Sequence, residues 1–298
     1  MADIFPLAHI EQYNSSVQHL AAIQKYAFEG KGIRIESNVG KVQWLNQIGD
    51  RTMRRITDRN GDITFAESKF GQRALRCFPY GDAAIYDDFD RARAAIEPNG
   101  PTAISQAHAV NKTKNAIIID AALGTSYERF DEESMGDAVE LGADRKVAVD
   151  FEAPGTNTGL TLAKLIKIKS LISQDDVADA SQKYFVYSQG MLDQLLLNVQ
   201  EVKSTDYAEI KALQEGRISY FLGMHWIKSS QLPVANGVRS CFAYVDQAIA
   251  FANQKNGGIK TKAWEMDNKW GSTGIKTTID TGATRVREDW VSVGYCAE

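Results

Sequence analysis

The chain is poor in the residues from which reactive centres are built. In 298 residues it has four histidines (His9, His19, His108, His225) and three cysteines (Cys77, Cys241, Cys296), all far apart. An odd, widely spaced cysteine set does not form a disulfide framework, and no two cysteines stand at the CxxC spacing of a zinc site. Three reduced thiols in a reducing compartment are the expectation. The carboxylate pairs Asp175-Asp176 and Glu132-Glu133 lack a partner at metal-ligand spacing. GxGxxG, a phosphate-cradling GxxxxGK[ST] loop, HExxH and GxSxG are all missing. What remains is Cys241 with His225 as a thiol–imidazole pair, with nothing in the sequence to orient the imidazole. Each histidine reads first as a packed or surface residue. No catalytic, metal-binding or cofactor-binding residue is therefore assigned, and the chain is not expected to be an enzyme.

Long apolar runs are missing too. No stretch approaches the roughly 20 apolar residues needed to span a bilayer. The segment Met1-Ala2-Asp3-Ile4-Phe5-Pro6 has neither the basic region nor the apolar core of a secretory signal. Asn14-Ser15-Ser16 and Asn111-Lys112-Thr113 match the glycosylation pattern, but a cytosolic chain would not use it. Excess positive charge is lacking as well: the formal net charge is -4 and the pI about 5.7. Tight wrapping of nucleic acid by global charge is excluded, since phosphate neutralisation needs clustered Lys and Arg.

What is present is a strong division along the chain. Ile10, Tyr13, Val17 and Leu20 recur at helical spacing within residues 7–28, a narrow stripe that needs a surface to pack on. Residues 31–76 are basic, with ten Lys or Arg against five Asp or Glu. They include Arg55-Ile56-Thr57-Asp58-Arg59-Asn60-Gly61-Asp62-Ile63-Thr64-Phe65. Asn60-Gly61 is a strong type I′ hairpin signal, because both turn positions require positive φ. Folding there sets Arg59 opposite Asp62 and Ile56 opposite Phe65, which predicts a long hairpin over roughly 50–70. Such a hairpin is marginal alone and needs another surface to lie on.

Ile85, Phe89, Ala92 and Ile96 share one helical stripe up to Pro98-Asn99-Gly100-Pro101. Pro101 suits the first turn of a second helix, Gly124 its C′ position, and the about 23 residues between predict a rod about 35 Å long. Residues 128–152 are acidic, with nine Asp or Glu against three Lys or Arg. They read as a solvated loop or as the partner of a neighbour's basic hairpin, since opposed patches steer association and set register.

Residues 155–265 alternate helix and strand, the pattern of a compact α/β domain. Thr158 is expected to cap a helix with Leu162, Leu165, Ile166 and Ile172 inward, and Lys164, Lys167 and Lys169 mostly on the solvent side. Tyr184-Phe185-Val186-Tyr187 reads as a buried strand, and Ser188 as the cap of the next helix. Asp206–Gln214 and Gln247–Ala252 read as helices; Ile218–Leu222, Met224–Ile227 and Arg239–Val245 read as strands. Residues 274–295 read as β: Ile275–Ile279, a turn at Asp280-Thr281-Gly282-Ala283, then Arg285-Val286-Arg287 and Trp290-Val291-Ser292-Val293. This tail is too small to fold alone, so it must return to the domain around the long helix.

That order of elements resembles the major capsid proteins of tailed phages, the Hong Kong ninety-seven-type fold, over nearly the whole chain. Cys77-Phe78-Pro79-Tyr80 followed by Ala84-Ile85-Tyr86-Asp87-Asp88-Phe89-Asp90 looks like the hairpin-to-helix passage of one capsid subfamily. Ile117-Ile118-Ile119-Asp120-Ala121-Ala122-Leu123-Gly124-Thr125 is similar to its long helix. Ser204-Thr205-Asp206-Tyr207, Ala212-Leu213, Gly216 and Phe221-Leu222-Gly223 resemble its apical domain, and Gly282-Ala283-Thr284-Arg285-Val286-Arg287 its closing strand.

The resemblance implies an α+β tailed-phage major capsid fold. It would comprise an N-terminal arm (1–40), an extended β-hairpin loop (41–80), a peripheral domain with a long spine helix and C-terminal strands (81–155 and 266–298), and an α/β apical domain (156–265). It implies hexamers and pentamers tiling an icosahedral shell around packaged double-stranded DNA. Portal, scaffold and decoration proteins would be partners, DNA contacts weak, and no membrane involved. The shell would be made in the host bacterial cytoplasm and end in the virion. The residues expected between subunits are Arg51, Arg54, Arg55, Arg59, Lys69 and Arg73, facing Glu132, Glu133, Asp137 and Glu140. Lys69 is also the nominal donor for a Lys–Asn cross-link of the kind some such capsids form. No large N-terminal cleavage is expected. The alternatives are an encapsulin-like compartment of the same fold, an α/β enzyme using Cys241, and an adaptor or tail-tube protein.

Overall fold

The computed structural model describes residues 26–38, 40–49, 53, 55, 70–86, 99–130, 136–198, 219–254, 259–266, 269 and 272–298. The expected helices at 7–28, 86–96 and 206–214 and the Asn60-Gly61 turn fall wholly or almost wholly outside these residues.

In chain order the strands are β1 (Arg34–Asn38), β2 (Val42–Ile48), β3 (Phe70–Arg76) and β4 (Phe78–Tyr86), followed by the long helix α1 (Asn99–Leu123). Then come β5 (Ser126–Arg129), β6 (Asp137–Val139), a 3-10 turn (Ala143–Arg145), β7 (Lys146–Val147), α2 (Leu162–Ile172), α3 (Asp176–Ala180), β8 (Lys183–Tyr187) and α4 (Gln189–Asn198). The chain closes with β9 (Tyr220–Phe221), β10 (Met224–Lys228), β11 (Val234–Ala235), β12 (Val238–Val245), β13 (Ile249–Gln254), β14 (Lys260–Met266), β15 (Ser272–Arg285) and β16 (Val291–Ala297).

Seven strands form one mixed sheet in the order β7-β16-β12-β8-β10-β9, with β11 on β12. Its two faces bury different cores. Phe185, Tyr187, Met224, Trp226, Cys241 and Ala243 pack under α2 and α4 with Leu165, Ile168, Met191, Leu192 and Leu195. Tyr184, Val186, Ile227, Phe242, Tyr244 and Val293 pack on the other side with Phe28 and with Ile118, Ile119 and Ala122 of α1. The central strands are thus apolar on both faces, the pattern of a covered sheet.

A five-stranded sheet runs β1-β13-β15-β14, with β4 also paired to β15, from Thr273↔Tyr86 to Thr281↔Phe78. The helix α1 lies along β15. Gln106 of α1 donates to the Ile275 carbonyl at 3.3 Å and accepts from Thr277 Oγ1 at 2.8 Å. A four-stranded sheet, β2-β3-β5-β6, has the antiparallel β2–β3 ladder as its base, from Val42↔Arg76 to Ile48↔Phe70. This ladder stands at the base of the expected hairpin, whose residues 50–69 lie almost wholly outside the described ones.

Several expectations are corrected. Residues 249–254 are strand β13, paired with both β1 and β15, where a helix was expected. No turn interrupts residues 280–283; β15 runs through them as one 14-residue strand. Gly282 is there because the backbone of Arg76 crosses it, and an added Cβ would lie 1.8 Å from the Arg76 carbonyl oxygen. Such a close approach is the positional meaning of a glycine inside a strand. The C-terminal strands also separate: β15 returns to α1 as expected, whereas β16 is built into the seven-stranded sheet between β7 and β12. Residues 26–38 of the expected arm belong to the subunit's own core, with Phe28 buried and Tyr244 Oη donating to the Lys31 carbonyl at 2.7 Å. Helix α2 starts at the Thr161 cap rather than at Thr158, Ile166 is exposed, and Lys164 is fully buried. The Ser188 cap is present, with its Oγ accepting from Met191 N at 3.3 Å.

Candidate assembly surfaces

The base of the hairpin is locked to the rest of the subunit by one buried arginine. Arg73 sits mid-strand on β3, where the pleat turns it inward, and is 3% exposed. Its guanidinium donates to Ser126 Oγ at 2.9 Å and pairs with Glu128 at 3.1 Å and with Glu288. Ser126 Oγ in turn lies 3.1 Å from Glu288 Oε1. Arg285, wholly buried, reaches the same Glu288 at 3.6 Å and donates to the carbonyls of Ala122 and Gly124 at 3.1 and 2.9 Å. These carbonyls are at the end of α1, where backbone acceptors lack helical partners and a cation is favoured. The cluster therefore joins hairpin, long helix and closing strand at one point. Burial raises the Glu128 pKa, the Arg73 charge opposes this, and the Glu288 charge adds to it.

Arg73 was expected at a subunit boundary. The structure places it inside its own chain, so its charge is unavailable to a neighbour. Of the other basic residues, Arg55 is exposed, and Arg51, Arg54, Arg59 and Lys69 lie outside the described residues. Among the acidic ones, Asp137 and Glu140 are exposed, and Glu132 and Glu133 lie outside the described residues. Asp137 stands directly opposite Glu128 on the β5–β6 ladder. A like-charge pair of this kind is unfavourable and leaves Asp137 in want of a cation. Sequence reasoning missed Ser126, Glu288 and the role of Arg285. The run 282–287 had been singled out, but only as a strand.

The hairpin base also exposes apolar surface. Ile48 and Phe70, directly paired, are 64% and 60% exposed. On the same strand face Arg129 stacks over Trp44 at 3.9 Å and donates to Gln72 at 2.7 Å, which donates to Asn46 at 2.7 Å. A rigid polar ladder thus ends in an uncovered hydrophobic pair.

The thiol–imidazole reading fails on parity. Phe242 pairs with Val186 and Tyr244 with Tyr184, while His225 pairs with Tyr184. His225 therefore shares a sheet face with Tyr184, lying between the rings of Tyr220 and Tyr184. Cys241 points to the opposite face, into the core under α2. All three cysteines are buried and outside any disulfide. The hydrogen bond with Cys296, followed by burial, holds the Cys241 thiol well above its usual range, which is the wrong direction for a nucleophile. Among the described residues no helix is long and apolar enough to cross a membrane.

A layered α+β body, a long helix, an antiparallel β2–β3 ladder anchored at that helix's end and a returning C-terminal strand together define a phage-capsid fold. Solved structures agree. The chain is similar to that of Mycobacterium phage Che8 (TM-score 0.67, 17% identity, covering 99% of this chain and 98% of that one). It is similar to the capsid of cyanophage P-SCSP1u (TM-score 0.71, 16% identity, 97% and 93% covered). A more remote likeness is to an encapsulin complex from Synechococcus elongatus (TM-score 0.60, 10% identity, 95% and 91% covered). No curated protein sequence matches. The model of one family, phage capsid protein, matches residues 6–298, and the chain belongs to that family. It is a structural, shell-forming protein of the virion.

Proposed function

We propose that copies of this chain assemble as hexamers and pentamers into the icosahedral head shell that encloses phage double-stranded DNA. The hairpin of each copy lies on its neighbour, with Arg51, Arg54, Arg55, Arg59 and Lys69 facing Glu132, Glu133, Asp137 and Glu140. Assembly takes place in the host bacterial cytoplasm, aided by scaffold and portal proteins, and the role involves no catalysis. The observation that carries this reading is the hairpin base. A subunit that anchors a hairpin through a buried ion network, yet leaves the paired Ile48 and Phe70 uncovered, is built to present that hairpin to another surface.

Electron microscopy of the purified chain, with sedimentation alongside, tests the proposal. Closed shells or rings of five and six subunits are expected. A monomer or dimer that persists at high concentration with scaffold supplied overturns it. The likeness to an encapsulin gives a second reading, a compartment enclosing enzymes. Nuclease-protected double-stranded DNA within particles from infected cells separates the two.

A further inference from the structure

The outer face of the β4–β15–β14 sheet carries an unbalanced cluster of lysines. On β15, Ile275, Thr277 and Ile279 are buried on the side that α1 covers, so the alternate residues face outward. Register then places Lys260, Lys262 and Trp264 of β14, Lys276 and Thr278 of β15, and Gly81 and Ala83 of β4 on one open face. Lys262 is paired directly with Lys276. Their Cβ atoms are therefore about 5 Å apart, and like charges so placed are destabilising. Lys276 Nζ lies 5.4 Å from the ring centroid of Trp264. That ring covers Gly274, where an added Cβ would come within 2.9 Å of it. The tryptophan thus closes the sheet surface and holds Lys276 upright. Among the described residues the one acid with this facing is Asp280, four positions along β15 from Lys276 and so about 13 Å away.

We infer that this face docks the acidic segment of a second copy of the chain. Charge complementarity selects that occupant. The chain as a whole has a formal net charge of -4, so three unneutralised lysines form a basic island on an acidic molecule. The exposed acidic segment of another copy is the local counterpart that the chain itself supplies to this island. With Glu128 held by Arg73 and with Asp137 and Glu140 assigned to the hairpin, the remaining described carboxylates of that segment are Asp144, Asp150 and Glu152. Asp144 and Glu152 are exposed, and the Asp144 side chain is 76% exposed even beside Arg145. The flat centre made by Gly81, Ala83 and Thr278 lets such a segment approach the lysines closely. The inference rests on the shell-forming reading and adds to it a second charged contact, distinct from the arginine hairpin.

The test is a charge swap in the full chain, read by sedimentation and electron microscopy. Lys260→Glu, Lys262→Glu and Lys276→Glu together are expected to leave the subunit folded and to cut particle yield at least tenfold. Adding Asp144→Lys and Glu152→Lys is expected to restore it. A milder variant, Lys262→Gln, relieves the like-charge pair, so the unassembled subunit melts higher while particles dissociate at lower salt. Normal particle yield and salt resistance in these variants overturn the inference, whereas failure of the unaltered chain to assemble overturns the shell reading instead. If the triple variant assembles normally but loses retention of a double-stranded DNA fragment in a filter-binding assay, the face serves nucleic acid and the inference is likewise overturned.

Discussion

Lys164 lies in the first turn of α2, where helical spacing among lysines at 164, 167 and 169 points it toward solvent. In the fold its ammonium is enclosed and donates to four carbonyls: Val149 at 2.7 Å, Thr158 at 2.7 Å, Gly159 at 3.0 Å and Tyr295 at 3.1 Å. Three protons serve four acceptors, so one bond is shared. The residue ties the acidic loop, the entry to α2 and strand β16 together. Replacing it with methionine preserves most of the volume but strands buried carbonyls, notably those of Gly159 and Tyr295. We expect Lys164→Met to cost about 2–3 kcal/mol in denaturant unfolding of the subunit. Burial lowers the Lys164 pKa from its usual 10.5, opposed by Cys296, Cys241, Glu152 and Asp150. A cation whose folded pKa is depressed binds its proton more weakly when folded. The cost of the buried charge is therefore present at neutral pH, and stability rises as pH climbs from the lowered value towards 10.5. The gap between wild type and Lys164→Met should accordingly widen as pH rises towards 10.5. A gap independent of pH would contradict the burial of the charge.

At the scale of elements, hairpin and helix are coupled through Arg73. The signals for the hairpin are local, a turn dipeptide, basic flanks and cross-strand pairs, and they lie almost wholly outside the described residues. The inward aim of Arg73 was not legible, because a basic residue in a basic segment gives no sign of carboxylates more than 50 and 200 residues away. Arg73→Met leaves the half-buried Glu128 without its cation and leaves Glu288 only the longer contact with Arg285. We expect a loss of about 2–4 kcal/mol, together with faster amide exchange in β2, β3 and β5 and little change in β8 and β12. Uniform exchange across the subunit would show that the cluster is not a local anchor. Two misread elements have the same origin. Alanines at 248, 250 and 252 favour helix on propensity, but β1 and β15 flank them on either side, and sheet pairing overrides a weak local preference. Asp280-Thr281-Gly282-Ala283 has turn composition, yet its glycine serves a backbone crossing inside a continuous strand.

For the whole molecule, the distribution of charge matters more than its sum. A chain of modest net charge divides it along the sequence into a basic segment over 31–76 and an acidic one over 128–152, and adds a lysine face on β14 and β15, which suits a surface made to meet copies of itself. Reversing Arg54, Arg55 and Arg59 to Glu is expected to block assembly while the subunit keeps its fold, checked by circular dichroism and by sedimentation. Particles of normal yield from that variant would remove the hairpin from the interface.

The sequence by itself determined the long helix and the buried strand β8, and the order of its elements carried the resemblance that gave the class of protein. Helix and strand rest on spacing within about 25 residues, a range over which backbone geometry and side-chain periodicity are read directly. It also determined that reactive motifs are missing. Only the tertiary structure decided that β16 belongs to the seven-stranded sheet, that Arg73, Arg285 and Lys164 are interior cations, and that Cys241 and His225 stand on opposite faces. These outcomes depend on which distant strands pair and in what register, and a one-residue change of register turns every side chain to the other face.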